Sequence, residues 1–249
     1  MAEDYSYLGS GMIHFREYQA AAPFIEAGNC SALNFSPQAA SIELQNYTEP
    51  GGGLQNEVNR LTGVEMAYTF HDFSPENIAR GLRGDATPAV AGTATEEPVV
   101  AYKGGFTPLA RIPTAITLVE PAGGGTAYDV GDDYEFRNGG IYIPATSSIV
   151  NPVAGAANID VTYTYPAQTK VEALINSAKT YEVMFTGLNE ARSGKEVRIH
   201  AHKVSGGVLA QFAAIGEEFG AGEVTGKLMK DGTKIGDAIS KYFVFEMVN

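Results

Sequence analysis

At 249 residues, with 44% hydrophobic and 18% charged side chains, the chain is long enough for one large β-rich domain or a core with an accessory module, and too apolar to remain disordered. The balance of 17 basic against 29 acidic residues, a formal charge of -12, opposes a basic footprint that grips phosphate backbones. Cys30 is the only cysteine, which excludes an intramolecular disulfide and any CxxC metal or redox motif.

The opening Met-Ala-Glu-Asp-Tyr has no basic region leading into an apolar run, so no secretory signal is expected. No stretch approaches the roughly 20 apolar residues of a spanning helix. Residues 1–11, ending Leu8-Gly9-Ser10-Gly11, carry no period and read as a flexible arm. Ile42 and Leu44 alternate with Ser41, Glu43 and Gln45, and Val64, Met66, Tyr68 and Phe70 alternate with Glu65, Ala67, Thr69 and His71, two strands each with one apolar face. Between them, residues 48–62 contain Glu49-Pro50-Gly51-Gly52-Gly53 and read as a loop too long for a tight hairpin turn. Ser74-Pro75-Glu76 predicts a short helix through Leu82, with a serine cap, proline in the first turn and an acid beside it.

Residues 85–98 are rich in Ala, Thr, Pro and Gly and read as a linker. Short strand candidates follow at 99–102, 115–119, 134–136, 140–143 and 159–165, the spacing of a small all-β module. Further strands are expected at 180–186, 196–204, 208–214, 217–227 and 241–248. Both ends of the chain thereby supply strands to one core, with residues 12–86 and 167–249 forming it and 87–166 a linker and outer module.

Signatures of catalysis are missing. Gly194-Lys195 and Gly226-Lys227 lack the Ser/Thr and the upstream glycine of a phosphate-binding loop, and there is no G-x-S-x-G elbow or H-E-x-x-H helix. His200 and His202 share a strand face with Glu196 and Arg198 without an evident third ligand, and Asp129, Asp132 and Asp133 do not follow calcium-loop spacing. No enzyme, metal or cofactor is expected.

Two stretches resemble the tail tube proteins of long-tailed bacteriophages. Tyr128-Asp129-Val130-Gly131-Asp132-Asp133-Tyr134-Glu135-Phe136, Asn138-Gly139-Gly140-Ile141-Tyr142-Ile143 and Ile159-Asp160-Val161-Thr162-Tyr163-Thr164-Tyr165 look like that family's central β segment. Tyr181-Glu182-Val183-Met184-Phe185-Thr186-Gly187-Leu188-Asn189, with residues 195–204, 209–219 and 226–228, looks like its C-terminal half, where a Gly-x-Asn turn precedes strands of the tube core. The resemblance implies a mainly β fold: a β-sandwich or barrel-like tube core with one short α-helix, plus a small outer β region. It implies a structural virion protein that self-assembles, in the host cytoplasm, into stacked, usually hexameric rings forming a conduit for genome delivery. The implied partners are other copies of the chain, a tape measure protein in the lumen, tail terminator and distal tail or baseplate proteins, and DNA in transit without sequence-specific binding. By position, Glu49, Pro50, Gly51, Gly52, Gly53, Leu54, Gln55 and Asn56 match a loop that bridges rings. With Ile42, Leu44, Val64, Met66 and Tyr68 packed inward, Ser41, Glu43, Gln45, Glu65 and Thr69 would face the lumen. The rival expectation is another virion β protein, a capsid decoration or adhesion module.

Overall fold

In the computed structural model, which describes residues 4–177 and 179–248, alternating apolar and polar side chains account for the strands that build the cores. The strands run β1 (Gly9–Glu17), β2 (Ile25–Glu26), β3 (Cys30–Gln45), β4 (Leu54–Phe70), then, after α1 (Pro75–Gly81), β5 (Asp85–Ala89), β6 (Gly92–Val99), β7 (Gly105–Pro108) and β8 (Ala115–Pro121). They continue as β9 (Glu135–Arg137), β10 (Gly140–Ile143), β11 (Ile159–Tyr165), β12 (Gln168–Glu172), β13 (Thr180–Asn189), β14 (Lys195–Ser205), β15 (Val208–Leu209), β16 (Gly222–Leu228) and β17 (Phe243–Met247). The chain divides into two compact units, one running up to Ala86 and resuming at Val171, the other Thr87–Lys170. The protein is mainly β.

In the first unit the strand order is β2-β1-β13-β14-β16-β4-β3, with β15 beside β16 and β17 beside β14. β14 meets β16 only at Val204 and Leu228, so the strands stack as two layers, a β-sandwich. Ile13, Phe15, Val183 and Ala201 of one layer pack against Val64, Met66, Tyr68, Phe70 and Val224 of the other. The Phe15 and Tyr68 rings lie 5.0 Å apart. β16 alternates throughout, with Gly222, Val224, Gly226 and Leu228 buried and Glu223, Thr225 and Lys227 exposed. Glycine is required at 222 because the Phe70 ring occupies the space a Cβ would fill.

Helix α1 forms where its caps predict. The Ser74 hydroxyl accepts the Asn77 N–H at 3.3 Å, and Pro75 stands in the first turn, where its missing N–H costs nothing. Asn77 is buried, and its amide donates to the carbonyls of Ala27 and Asp72, each at 2.7 Å. Arg80 lies over the Phe15 ring, 4.2 Å from its centroid, so the helix is fastened to the sandwich by polar and cation–π contacts.

Two expectations about the first unit are corrected. Gly9, Ser10 and Gly11 belong to β1, paired with Asn189, Leu188 and Gly187. The Gly187-Leu188-Asn189 segment is the end of β13 and not a turn; the chain reverses after it. Asn189 is fully buried, accepts the Leu8 N–H and donates to the Ser6 carbonyl, each at 3.0 Å, and so ties down the segment before β1.

The second unit has its own core. Sheet β6-β11-β8 supplies Val99, Val119, Ile159, Val161 and Tyr163, and sheet β7-β10-β9 supplies Ile141 and Ile143. Residues 85–98, read as linker, are mostly β5 and β6; their Ala, Thr and Pro content hides a strand that pairs with β11 across a bulge. Conversely, of 99–102 only Val99 is in a strand. Residues 146–157 lie inside this unit, with Ile149 fully buried.

Replacing Asn189 with alanine leaves Leu8 N–H and Ser6 C=O without their partner and should cost about 1–3 kcal/mol of stability. Denaturant unfolding should show the lowered midpoint, and limited proteolysis should cut before residue 11 first; wild-type values for both would contradict this role.

Candidate functional site

The feature that sets this molecule apart is the far end of the β3–β4 hairpin. β3 ends its layer, and β4 has a second neighbour, β16, only from Val64 to Phe70. Residues 39–45 and 54–61 pair with each other alone and form a two-stranded ribbon. Every residue from 36 to 62 is exposed except the half-buried Asn46. A lone two-stranded ribbon is marginal in water, and each open edge offers unpaired N–H and C=O groups to another strand.

The ribbon's apolar residues also change pleat side. In the sandwich, Leu33 and Phe35 stand opposite Tyr68 and Met66 and face the core. Thr62 is then left out of register, with Gln38 opposite Gly63 and Ala39 opposite Leu61, a β-bulge. Beyond it the apolar set is Ile42, Leu44 and, opposite Ile42, Val58, on the other side of β3 from Phe35. Ile42 and Leu44, expected to pack inward, are 54% and 52% exposed. The alternation is real, but the sandwich ends before it and has no second layer there to cover it.

The expected loop at 48–62 is also shorter. The turn is 46–53, and Leu54, Gln55 and Asn56 lie in β4. Asn46 donates its N–H to Gly53 at 2.7 Å and accepts the Thr48 N–H and hydroxyl on its side chain at 2.9 and 2.6 Å. Gly51, Gly52 and Gly53 have φ of 101, 66 and 133°, conformations that other residues rarely adopt. Glu49, Pro50 and the three glycines form the tip, next to Tyr47 at 84% exposure.

The residues assigned to a lumen face divide into two sets. Glu65 and Thr69 lie on the outer side of the β3–β4–β16 sheet, opposite Lys227 and Glu223 on β16 and Ser36 and Ala32 on β3. Ser41, Glu43 and Gln45 are on the ribbon, on the opposite pleat side from Glu65's neighbour Ser36. The open sheet face therefore comprises Asn34, Ser36, Glu65, Ala67, Thr69, Glu223, Thr225 and Lys227, of which the two exposed acids and one lysine are the charges. Glu223 and Thr225 were missed; the strict alternation of β16 could have found them. Across the ribbon Glu43 stands directly opposite Glu57, whose carboxylate accepts the Ser41 hydroxyl at 2.8 Å.

A buried polar cluster lies on the outer side of β13 and β14. His202 is 6% exposed, its ring 4.9 Å from that of His200, and neither of its ring nitrogens has a hydrogen-bond partner. Burial pushes both histidines below their ordinary value; Lys234 pushes the same way, and Glu182 opposes it. Glu182 pairs with Arg16 and lies 3.6 Å from His200 Nε2. Asp231 accepts hydrogen bonds from the Tyr18 hydroxyl at 2.7 Å and the Thr233 hydroxyl at 2.7 Å; burial would raise its carboxyl, but these bonds outweigh it and hold it at about 2. Among the described residues no three His, Cys, Asp or Glu side chains are arranged to hold a metal ion. In the acidic trio, Asp133 accepts the N–H groups of Ser148 and Asp129 and so closes its own loop.

Fold and surface together define a mainly β protein of two units whose most exposed feature is an open-edged ribbon with an apolar stripe. The chain belongs to the family described as Protein of unknown function UCP028589, whose profile matches residues 6–246. No curated protein matches the chain. No helix among the described residues is long and apolar enough to cross a membrane.

The buried cluster makes stability depend on pH. His200 and His202 titrate below the ordinary 6.5, so the unfolded chain takes up protons first as pH falls past that value, and stability is lost on acidification. Asp231, held at about 2 against an ordinary 3.8, adds a second loss as pH falls through 3.8. Melting temperature should decline from pH 7.5 to pH 5, and less steeply in His202→Phe; a flat or rising profile in the wild type would contradict the histidine assignment.

Proposed function

We propose that this protein is a structural subunit of a bacteriophage tail tube, not an enzyme, and that copies of it assemble into stacked, hexameric rings around a channel for the genome. One observation carries the reading: residues 39–61 form a ribbon with two free edges and an apolar stripe of Ile42, Leu44 and Val58, 54%, 52% and 47% exposed, with no second layer to cover it. A chain that keeps a ribbon in this state gains stability when another copy pairs with it or covers it. The ribbon is then the element that bridges subunits, with Glu49 to Gly53 at its tip.

On this reading the open face of β3, β4 and β16 lines the channel. Glu65 and Glu223 repel phosphate, the small side chains of Ser36, Ala67, Thr69 and Thr225 offer few anchoring bonds, and Lys227 stands opposite Glu65, which offsets its charge. DNA slides past such a wall. The tape measure, terminator and distal tail proteins are the further partners that this assignment brings, and the virion tail is the location.

A capsid decoration or adhesion module would instead remain monomeric or trimeric away from its shell. Negative-stain microscopy and sedimentation of the purified protein separate the two. Rings or tubes of constant diameter are expected, and a variant with 39–61 replaced by an Asn-Gly turn should keep its circular dichroism and melting transition but stay monomeric. A monomeric wild type at high concentration, or normal tubes from the shortened variant, would overturn the proposal.

A further inference from the structure

The ribbon carries an unrelieved charge. Glu43 and Glu57 face each other across the strands, a like-charge pair that destabilises a ribbon unless a cation is supplied. The nearest ribbon cation, Arg60, stands opposite Ala40 and so belongs to the other pleat side, with Ile42 and Val58. The carboxylate side continues through Asn59 to Leu61, which is 52% exposed.

The matching surface lies in residues 229–242, between β16 and β17. The Met229 N–H donates to the Lys203 carbonyl at 2.8 Å and the Asp231 N–H to the Lys241 carbonyl at 2.9 Å, which sets Lys203, Lys230 and Lys241 on adjacent backbones. Lys203 is engaged with the Tyr18 ring, and Asp231 is buried and spoken for by Tyr18 and Thr233. Lys230 and Lys241 form no ion pair among the described residues. In the same segment Ile235 and Ile239 are 83% and 48% exposed. Lys230 and Lys241 with these isoleucines complement an acidic and apolar element, and the carboxylate side of the ribbon is one.

No ion pair joins Glu43 or Glu57 to Lys230 or Lys241 within the chain among the described residues. β16 ends at Leu228, opposite Val64, and Glu57 lies about 23 Å farther along β4 at the usual rise per strand residue. We infer that the carboxylate side of the ribbon, Glu43 and Glu57 with Leu61, docks on Lys230 and Lys241 with Ile235 and Ile239 of a second copy. This contact deepens the tube reading and rests on it. Because donor and acceptor are different surfaces, head-to-tail docking leaves one of each free at the ends and propagates into closed rings or stacks.

The test uses the full chain in an equal mixture of nitrogen-14 and nitrogen-15 protein. Carbodiimide, which joins a carboxylate to a lysine in contact, should give Glu43 or Glu57 crosslinked to Lys230 or Lys241 in mixed-isotope pairs. Glu43→Lys with Glu57→Lys, and separately Lys230→Glu with Lys241→Glu, should each raise the concentration needed for assembly at least about tenfold at low salt, where screening is weakest. All four substitutions together should restore assembly. Tubes without these crosslinks, crosslinks confined to single-isotope pairs, or reversals that assemble as the wild type does would overturn this contact and leave the tube reading standing. Mixed-isotope crosslinks in small oligomers that never form rings or tubes would support the contact and overturn the tube reading; no association at all would overturn both.

Discussion

Every β-sheet must bury one face and do something with its edges, because an open edge exposes backbone donors and acceptors and an uncovered apolar face exposes hydrocarbon to water. The sandwich of the first unit meets both demands for most of its strands: Phe15, Met66, Tyr68 and Phe70 fill the space between the layers, and β14 is flanked by β13 and β17. The ribbon meets neither. It is built from the same two strands that supply Leu33, Phe35, Val64, Met66, Tyr68 and Phe70 to the core, so it is held at its base by Val64 to Phe70 and left bare beyond them. The proposed function rests on that contrast, since an element this well anchored and this uncovered is suited to be completed by another molecule.

The bulge at Thr62 is the device that makes the contrast possible. Before it, the apolar side of the hairpin faces the subunit's own second layer; after it, Ile42, Leu44 and Val58 point to the other side. One hairpin thereby presents apolar residues on both its sides, to the core at its base and to solvent beyond the bulge. The Thr62 hydroxyl donates to the Gln38 carbonyl at 3.0 Å, which stabilises the irregular register where the switch occurs.

Much of this was legible in the residues and some was not. The period of two in Val64-Met66-Tyr68-Phe70, the caps of α1 and the β-branched runs of β11 and β14 are local signals, and local structure followed them. Alternation also marked Ile42 and Leu44 as a face that wants covering, but a chain's own residues do not say whether the cover is in the same molecule. The glycines mark the turn but not the strand from Leu54 to Leu61, where Leu54, Val58 and Leu61 follow no period of two and the strand is stabilised by pairing with β3 rather than by burial. β6 was hidden for the opposite reason: its Thr, Pro and Glu composition is that of a linker, and it is a strand because β11 beside it is. The lysines of 230 and 241 carry no local signature, since a backbone bond between distant residues brings them together.

Hydrogen–deuterium exchange across residues 39–61 tests the central claim, that the ribbon is completed by another copy of the chain. In dilute protein its outward backbone amides should exchange far faster than those of β13 and β14, and in concentrated, assembled protein they should become protected while the sandwich strands change little. Ribbon amides that exchange at the same rate in both states would contradict the account.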